Sequence, residues 1–272
     1  MILVRSARSE LAKQLTTSMW WILALVLLVY VGSTAAGLAL VFSAGATGAF
    51  GGADAPPVNP DSLPALLYSL ASSVGYVFPL LIGTLIVTGE FRHKTLTPTF
   101  LAIPRRGIVL SGKIVAGIIL GVIFAAVALV ASLAPSAGIL AGFGLETGLS
   151  SADTWALVGR VALALVLWVL VGIGVGSLVR NQVAAIVLVL AFTQFIEPIA
   201  RVAASLLEQL GEVTKYLPGA ASDALVGSSF LTLGMAPAEG ALEWWVGGLV
   251  LLGYAVVLLF LGYLVSWRRD VT

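Results

Sequence analysis

The sequence predicts an all-α polytopic membrane protein: six transmembrane helices, an amphipathic N-terminal interfacial helix, and short re-entrant outer helices before the sixth span. Three observations carry this. Of the 272 residues, 60% are hydrophobic and only 10% are charged, whereas an ordinary soluble domain carries roughly 25% charge. The mean hydropathy is +1.08, so most of the outer surface must face lipid. Six runs are apolar enough, and long enough, to cross ~30 Å of hydrocarbon. The basic and acidic residues also segregate onto alternate connections between those runs.

Residues 1–18 precede the first run. Leu3, Val4, Ala7, Leu11 and Leu15 fall on one helical face, with Arg5, Ser9 and Lys13 opposite and Arg8 nearby. This is the pattern of a basic helix lying in the membrane interface, with Arg5, Arg8, Leu11 and Lys13 as its markers. The apolar run from Met19 to Phe42 is too long for the ~7–15 residues of a signal-peptide core and reads as a retained first span. The six spans of the 19–272 membrane domain are expected at about 19–43, 65–88, 114–134, 155–179, 183–200 and 244–266. Ser43 to Pro64, rich in Gly, Ala and Pro, reads as a loop, as does Pro135 to Asp153. Spans four and five are joined only by Arg180, Asn181 and Gln182. Pro198 to Leu242 is too polar to span and too apolar for a free loop. Its Ile199, Val202, Ala203, Leu206, Leu207 and Leu210 recur at helical spacing, which predicts one or two short helices dipping into the outer face.

One set of connections holds Arg5, Arg8, Lys13, Arg92, Lys94, Arg105, Arg106, Lys113, Arg180, Arg268 and Arg269, eleven of the 14 basic residues. The other set holds Asp54, Asp61, Glu146, Asp153, Glu197, Glu208, Glu212, Asp223, Glu239 and Glu243, ten of the 13 acids. The positive-inside rule then puts both termini in the cytoplasm, which requires an even number of crossings. Trp20, Trp21, Trp244, Trp245 and Trp267 sit at span ends as interface anchors.

The connection Gly89 to Lys113 reads G-E-F-R-H-K-T-L-T-P-T-F-L-A-I-P-R-R-G-I-V-L-S-G-K. A passive inner loop needs a few cations and little else. This one carries Glu90 at the end of span two, a basic cluster, threonines around Pro98, and then Pro104, Arg105 and Arg106. The order suits a short helix along the membrane that offers Glu90, Arg92, Arg105 and Arg106 to a cytoplasmic partner. The plainer reading is a set of positive-inside anchors.

Thr88–Arg106, with the Gly112-Lys113 entry to span three, resembles the first cytoplasmic loop of ABC-2-type permeases, closest to actinobacterial members. These are the membrane subunits of ABC transporters. The topology and the Leu217-Pro218-Gly219-Ala220-Ala221 stretch are similar as well. The resemblance implies a bacterial cell-membrane half-transporter that pairs with a second permease copy or a homologous permease and with a cytoplasmic ATPase dimer. ATP and Mg²⁺ would be held by the ATPase, with no cofactor in this chain. Glu90, Phe91, Arg92, His93, Lys94, Thr95, Pro98, Thr99, Pro104, Arg105 and Arg106 would form the ATPase-coupling element. The substrate class implied is a hydrophobic or amphipathic molecule, moved outward.

Two nucleotide-like motifs carry no such function. Gly107 to Ile114 is close to a P-loop, but Ile114 stands where a Mg²⁺-binding hydroxyl is needed and no strand precedes it. Gly172, Gly174 and Gly176 lie within a span, without the strand-turn-helix setting of a dinucleotide site. The pairs Gly172/Gly176 and Gly117/Gly121 instead suit close helix packing. The absence of cysteine excludes thiolate metal sites and cysteine nucleophiles, and His93 has no second ligand, so no metal site is expected. A net charge of +1 argues against nucleic acid, and no nucleophile–base pair is present. Thr193, Gln194, Glu197 and Arg201 are the substrate or gate candidates, although Glu197-Pro198 also reads as a solvated span end with Glu197 paired to Arg201. The alternatives to an ABC permease are an ATPase-independent channel or secondary transporter, for which mid-span acids are wanting, and a membrane scaffold or immunity protein.

Overall fold

The computed structural model describes residues 2–49, 59–103, 105–206, 208–228 and 242–267. Pro104, Asp54, Glu239, Arg268 and Arg269 lie outside the described residues, as do the side chains of Leu206, Leu207, Glu208, Leu210 and Trp267. Among the described residues all regular structure is helical, and six helical segments are long and apolar enough to cross a membrane.

Helix α1 (Ile2–Leu15) precedes α2 (Met19–Thr47), the first of these segments. The second is broken: α3 (Leu63–Ser73) and α4 (Val77–Arg92) meet at Val74–Tyr76. Pro79 lacks an N–H and its ring would clash with the Gly75 carbonyl in a continuous helix. At Gly75 the chain is already so crowded that a Cβ would lie 2.3 Å from the Ala71 carbonyl oxygen. Hydropathy does not register this break, because both halves are apolar. After the short α5 (Leu96–Ala102), helix α6 (Arg106–Gly142) runs through Pro135, so the expected loop at 135–153 begins only after Gly142. Within a bundle, neighbouring helices tolerate a proline that would end a helix in water.

Helix α7 (Ala152–Leu178) is central. It crosses α4 through glycines: a Cβ on Gly172 would lie 2.2 Å from the Leu80 oxygen, and one on Gly83 2.2 Å from the Val169 oxygen. Gly117 and Gly121 of α6 also face α7, the first against the Ile173 side chain and the second against the Val166 backbone. Small residues thus set the backbone separations, as side-chain packing between membrane helices requires. Asn181 caps α8 (Gln182–Ala191), its Oδ1 accepting from the N–H groups of Val183 and Ala184.

The fifth span does not end at Glu197-Pro198. A wide π turn over Phe192–Ile196 leads into α9 (Glu197–Leu206), and the apolar segment continues to Ala204. Pro198 cannot bond the Gln194 carbonyl, and the wider turn accommodates its ring. Short helices α10 (Glu208–Thr214) and α11 (Pro218–Val226) follow, then α12 (Trp244–Gly262).

The apolar windows of α3–α4 and α7 are each 67% buried, against 22% for α2, 22% for α8–α9 and 17% for α12. The first group forms the core and the second presents its apolar side chains outward. The α4–α5–α6 connection, the α7–α8 turn, α1 and the end of α12 share one end of the bundle, which is rich in cations. Helix α11 and the α6–α7 loop occupy the other end, which is rich in acids.

Candidate functional site

Two polar clusters stand out in this apolar frame, one at each end. At the cation-rich end four charged side chains close a ring. Lys13 Nζ lies 2.7 Å from Glu10 Oε1 and 2.9 Å from Glu90 Oε1, and Lys113 Nζ lies 2.5 Å from Glu10 Oε2 and 2.8 Å from Glu90 Oε2. The last contact is an ion pair without hydrogen-bond alignment, since Glu90 Oε2 accepts no bond. Lys13 also donates to Thr99 Oγ1 at 3.4 Å. The ring therefore joins α1, α4, α5 and α6 with no net charge.

Burial makes this ring consequential. The Lys113 side chain is 0% exposed, Glu10 3% and Glu90 7%, while Lys13 reaches solvent at 38%. An isolated buried charge costs several kcal/mol, so each of these is tolerable only with its partners in place. Burial works against the charged form of Lys13, but its bonds to Glu10 and Glu90 outweigh that and hold its pKa above the usual 10.5.

Helix α1 reaches the ring by close packing: a Cβ on Gly112 would lie 2.4 Å from the Ser6 hydroxyl. Ser6, Ala7 and Glu10 of α1 face the protein, whereas Val4 and Leu15 are exposed, as are Arg5 and Arg8; Leu11 is half-buried. The helix thus buries a polar stripe and turns much of its apolar stripe away from the bundle.

Glu90, expected to offer its carboxylate to a partner, is turned inward, because the two lysines that neutralise it lie inside. Arg92, His93, Lys94, Thr95, Pro98 and Arg105 are exposed, Phe91 and Thr99 are half-buried, and the Arg106 guanidinium stacks 5.2 Å from the Phe100 ring centroid. Helix α5 buries Leu96 and leaves Leu101 80% exposed. Lys94 has φ 54°, in the left-handed region, and reverses the chain between α4 and α5 as Thr95 N–H bonds the Glu90 carbonyl at 3.1 Å. Glu10 and Lys113 were not among the expected site residues. Gly107 to Ile114 forms the opening turns of α6, and its Lys113 points into the ring.

At the acid-rich end the broken helix and the π turn face each other. Between them lies a cavity of about 20 Å³ lined by Ser72, Ser73, Tyr76, Thr193, Glu197 and Arg201, with Gly219, Ser222 and Asp223 of α11. Tyr76 O–H donates to the Thr193 carbonyl at 3.1 Å, Gln194 Nε2 lies 3.5 Å from the Tyr76 hydroxyl, and the Tyr76 and Trp168 rings are 4.6 Å apart. Trp168 Nε1 donates to Ser222 Oγ at 3.0 Å.

Glu197 is buried, and its Oε1 accepts from the Ala220 N–H at 3.0 Å, placing a carboxylate at the N-terminus of α11. Arg201 pairs with Asp223 at 2.7 Å instead of bonding Glu197. Of the four gate candidates, Thr193, Glu197 and Arg201 line the cavity, and Gln194 is exposed beside it. Ser73 Oγ and Glu197 Oε2 are buried without a hydrogen-bond partner among the described residues. A volume of 20 Å³ is on the scale of one water molecule, far below a substrate pocket. Irregular backbone at membrane depth is nonetheless found where it lines a cavity or pathway.

No protein-family model matches the chain, and no curated protein matches its sequence.

Proposed function

We propose that this chain is the membrane-spanning subunit of an ATP-driven transporter of the ABC-2 type. Hydrolysis takes place in a separate cytoplasmic ATPase, and residues 89–113 are the docking element. The observation that carries the reading is an exposed apolar side chain on a segment tied to the buried ring. Leu101 projects at 80% exposure from α5, and the buried ring ties the segment around α5 to α1, α4 and α6. A large apolar group left out of the core at the cation-rich end suits a groove on another protein. A force applied at α5 would enter the ring at Lys13 through Thr99 and pass by Glu90 to α4 and by Lys113 to α6.

On this reading the cation-rich end is cytoplasmic. A second permease copy covers part of the outward apolar surface, and the substrate is hydrophobic or amphipathic. The docking surface consists of Leu101 with Pro98, His93, Lys94, Thr95 and Arg105, and Glu90 acts inside it as the link to the spans.

The test is gentle purification from native membranes, followed by identification of what accompanies the chain. A stoichiometric ATPase whose activity rises in the complex is expected. Leu101→Asp should abolish that stimulation while leaving the melting temperature of the isolated chain unchanged. A chain that purifies alone, or a Leu101→Asp complex with full activity, would overturn the reading.

One observation favours a second reading, an ion-coupled transporter: Glu197 is buried within a span, between a broken helix and a bulged one. That reading predicts uptake in proteoliposomes driven by a proton gradient without ATPase and lost in Glu197→Gln.

A further inference from the structure

The cation-rich end holds a groove outside the ring. It has a volume of about 610 Å³ and lies between the end of α4 and the α7–α8 turn, lined by Phe91, Arg92, Arg180, Asn181, Gln182 and Val183. From it we infer a binding site for the headgroup of an anionic phospholipid, with Arg92 and Arg180 holding the phosphate and the exposed face of α8 supporting an acyl chain.

Both arginines are exposed, and among the described residues neither is in an ion pair. Among the described residues the one hydrogen bond of Arg92 is long, 3.5 Å to Gln182 Oε1. The nearest carboxylate in sequence, Glu90, is engaged by Lys13 and Lys113. Arg92 from the end of α4 and Arg180 from the α7–α8 turn both line this groove, and a guanidinium presents paired N–H donors suited to phosphate oxygens. The N-terminus of α8 adds little, because Asn181 already accepts from its first N–H groups.

The apolar surface argues for a lipid over a free anion. Val183 lines the groove and is 66% exposed, and Val187 and Leu188 continue outward at 58% and 53%. One side of the groove therefore opens onto an apolar strip running along a span, while its mouth lies at the span ends, where headgroups sit. A soluble phosphate compound would have no use for that strip. The inference needs no ATPase and stands apart from the transport reading.

The experiment uses the full chain, delipidated in a neutral detergent, with melting temperature followed against dioctanoyl phosphatidylglycerol, dioctanoyl phosphatidylcholine and inorganic phosphate. Phosphatidylglycerol should raise the melting temperature saturably, and the other two should not. Arg92→Gln with Arg180→Gln should weaken phosphatidylglycerol binding roughly thirtyfold. Arg5→Gln with Arg8→Gln, an equal charge loss on α1, should leave binding unchanged. Arg180→Gln alone, at a position with no hydrogen bond or ion pair to lose among the described residues, should weaken binding without altering the lipid-free melting temperature. Equal weakening by the α1 pair would reduce the effect to diffuse charge and overturn the site. An equal response to inorganic phosphate would make it a general anion site and overturn the lipid. Wild-type binding by both the double arginine variant and Arg180→Gln would remove the proposal altogether.

Discussion

Lys113 Nζ and Glu10 Oε2 lie 2.5 Å apart although 103 positions separate them, and both side chains are almost wholly shielded from solvent. The pair fastens the amphipathic N-terminal helix to the first turns of α6. Removing Lys113 leaves two buried carboxylates sharing the single charge of Lys13, whereas removing Lys113 and Glu10 together leaves the neutral Lys13–Glu90 pair. Lys113→Met should therefore destabilise by about 3–5 kcal/mol. Lys113→Met combined with Glu10→Gln should recover much of that loss. Thermal unfolding of the four proteins of this cycle in one detergent checks it, and additive losses would contradict the ring.

Lys13 is the ring's solvent-facing member, and its pH dependence has a definite sign. Its pKa is raised on folding: burial opposes the charge, and the bonds to Glu10 and Glu90 more than compensate. The stability it supplies is fully present below the unfolded value of 10.5 and is lost as pH rises through the higher folded value. The melting-temperature gap between wild type and Lys13→Met should be constant from neutral pH to about 10 and shrink above it. A gap that closes near neutral pH would exclude this origin.

The architecture was legible where it rests on bulk hydrophobicity, and the candidate site was legible only in part. Six apolar runs and segregated charges predict six spans because lipid imposes both patterns on every crossing. Pro135 and Pro198 were read as span ends by the logic of helices in water, and the bundle carries both chains onward. The break at Gly75 left no trace in hydropathy. The inward turn of Glu90 could not be read locally, since its partners Lys13 and Lys113 come from other helices. A signal was present nonetheless: Glu10 is an acid within a basic helix, and Lys113 heads an apolar run.

Glycine packing gives a contrast within one fold. A Cβ at Gly172 would lie 2.2 Å from the Leu80 carbonyl oxygen, backbone that cannot step aside, whereas one at Gly37 would meet nothing within 4 Å. Gly172→Ala should cost about 1–3 kcal/mol by forcing α4 and α7 apart. Gly37→Ala should stabilise α2 by roughly 0.5–1 kcal/mol through helix propensity alone. Opposite shifts in melting temperature are expected, and shifts of the same sign would contradict the α4–α7 crossing.

Lys94 holds a left-handed conformation, φ 54°, without being glycine. Lys94→Gly should relieve the clash of its Cβ and stabilise the α4–α5 turn by up to about 1 kcal/mol. Unfolding in denaturant measures the gain. If Lys94 also contacts the ATPase, the same variant should lose stimulated hydrolysis while gaining stability, separating the two roles of the side chain.

Glu197 and Gly219 test the other cluster as a unit. A Cβ on Gly219 would lie 2.5 Å from Glu197 Oε1, in the space the carboxylate needs to reach the Ala220 N–H. Gly219→Ala should therefore expel the carboxylate from the N-terminus of α11 and cost about 1–3 kcal/mol, the range for losing a buried partner. Glu197→Ala should cost a similar amount by the opposite route, leaving the N–H group without its acceptor. Since both changes break one contact, the double variant should be little worse than either single one. Unfolding free energies of the four proteins give the coupling directly. Full additivity would mean that the two changes act through separate contacts and that Glu197 does not hold the N-terminus of α11 through the space beside Gly219.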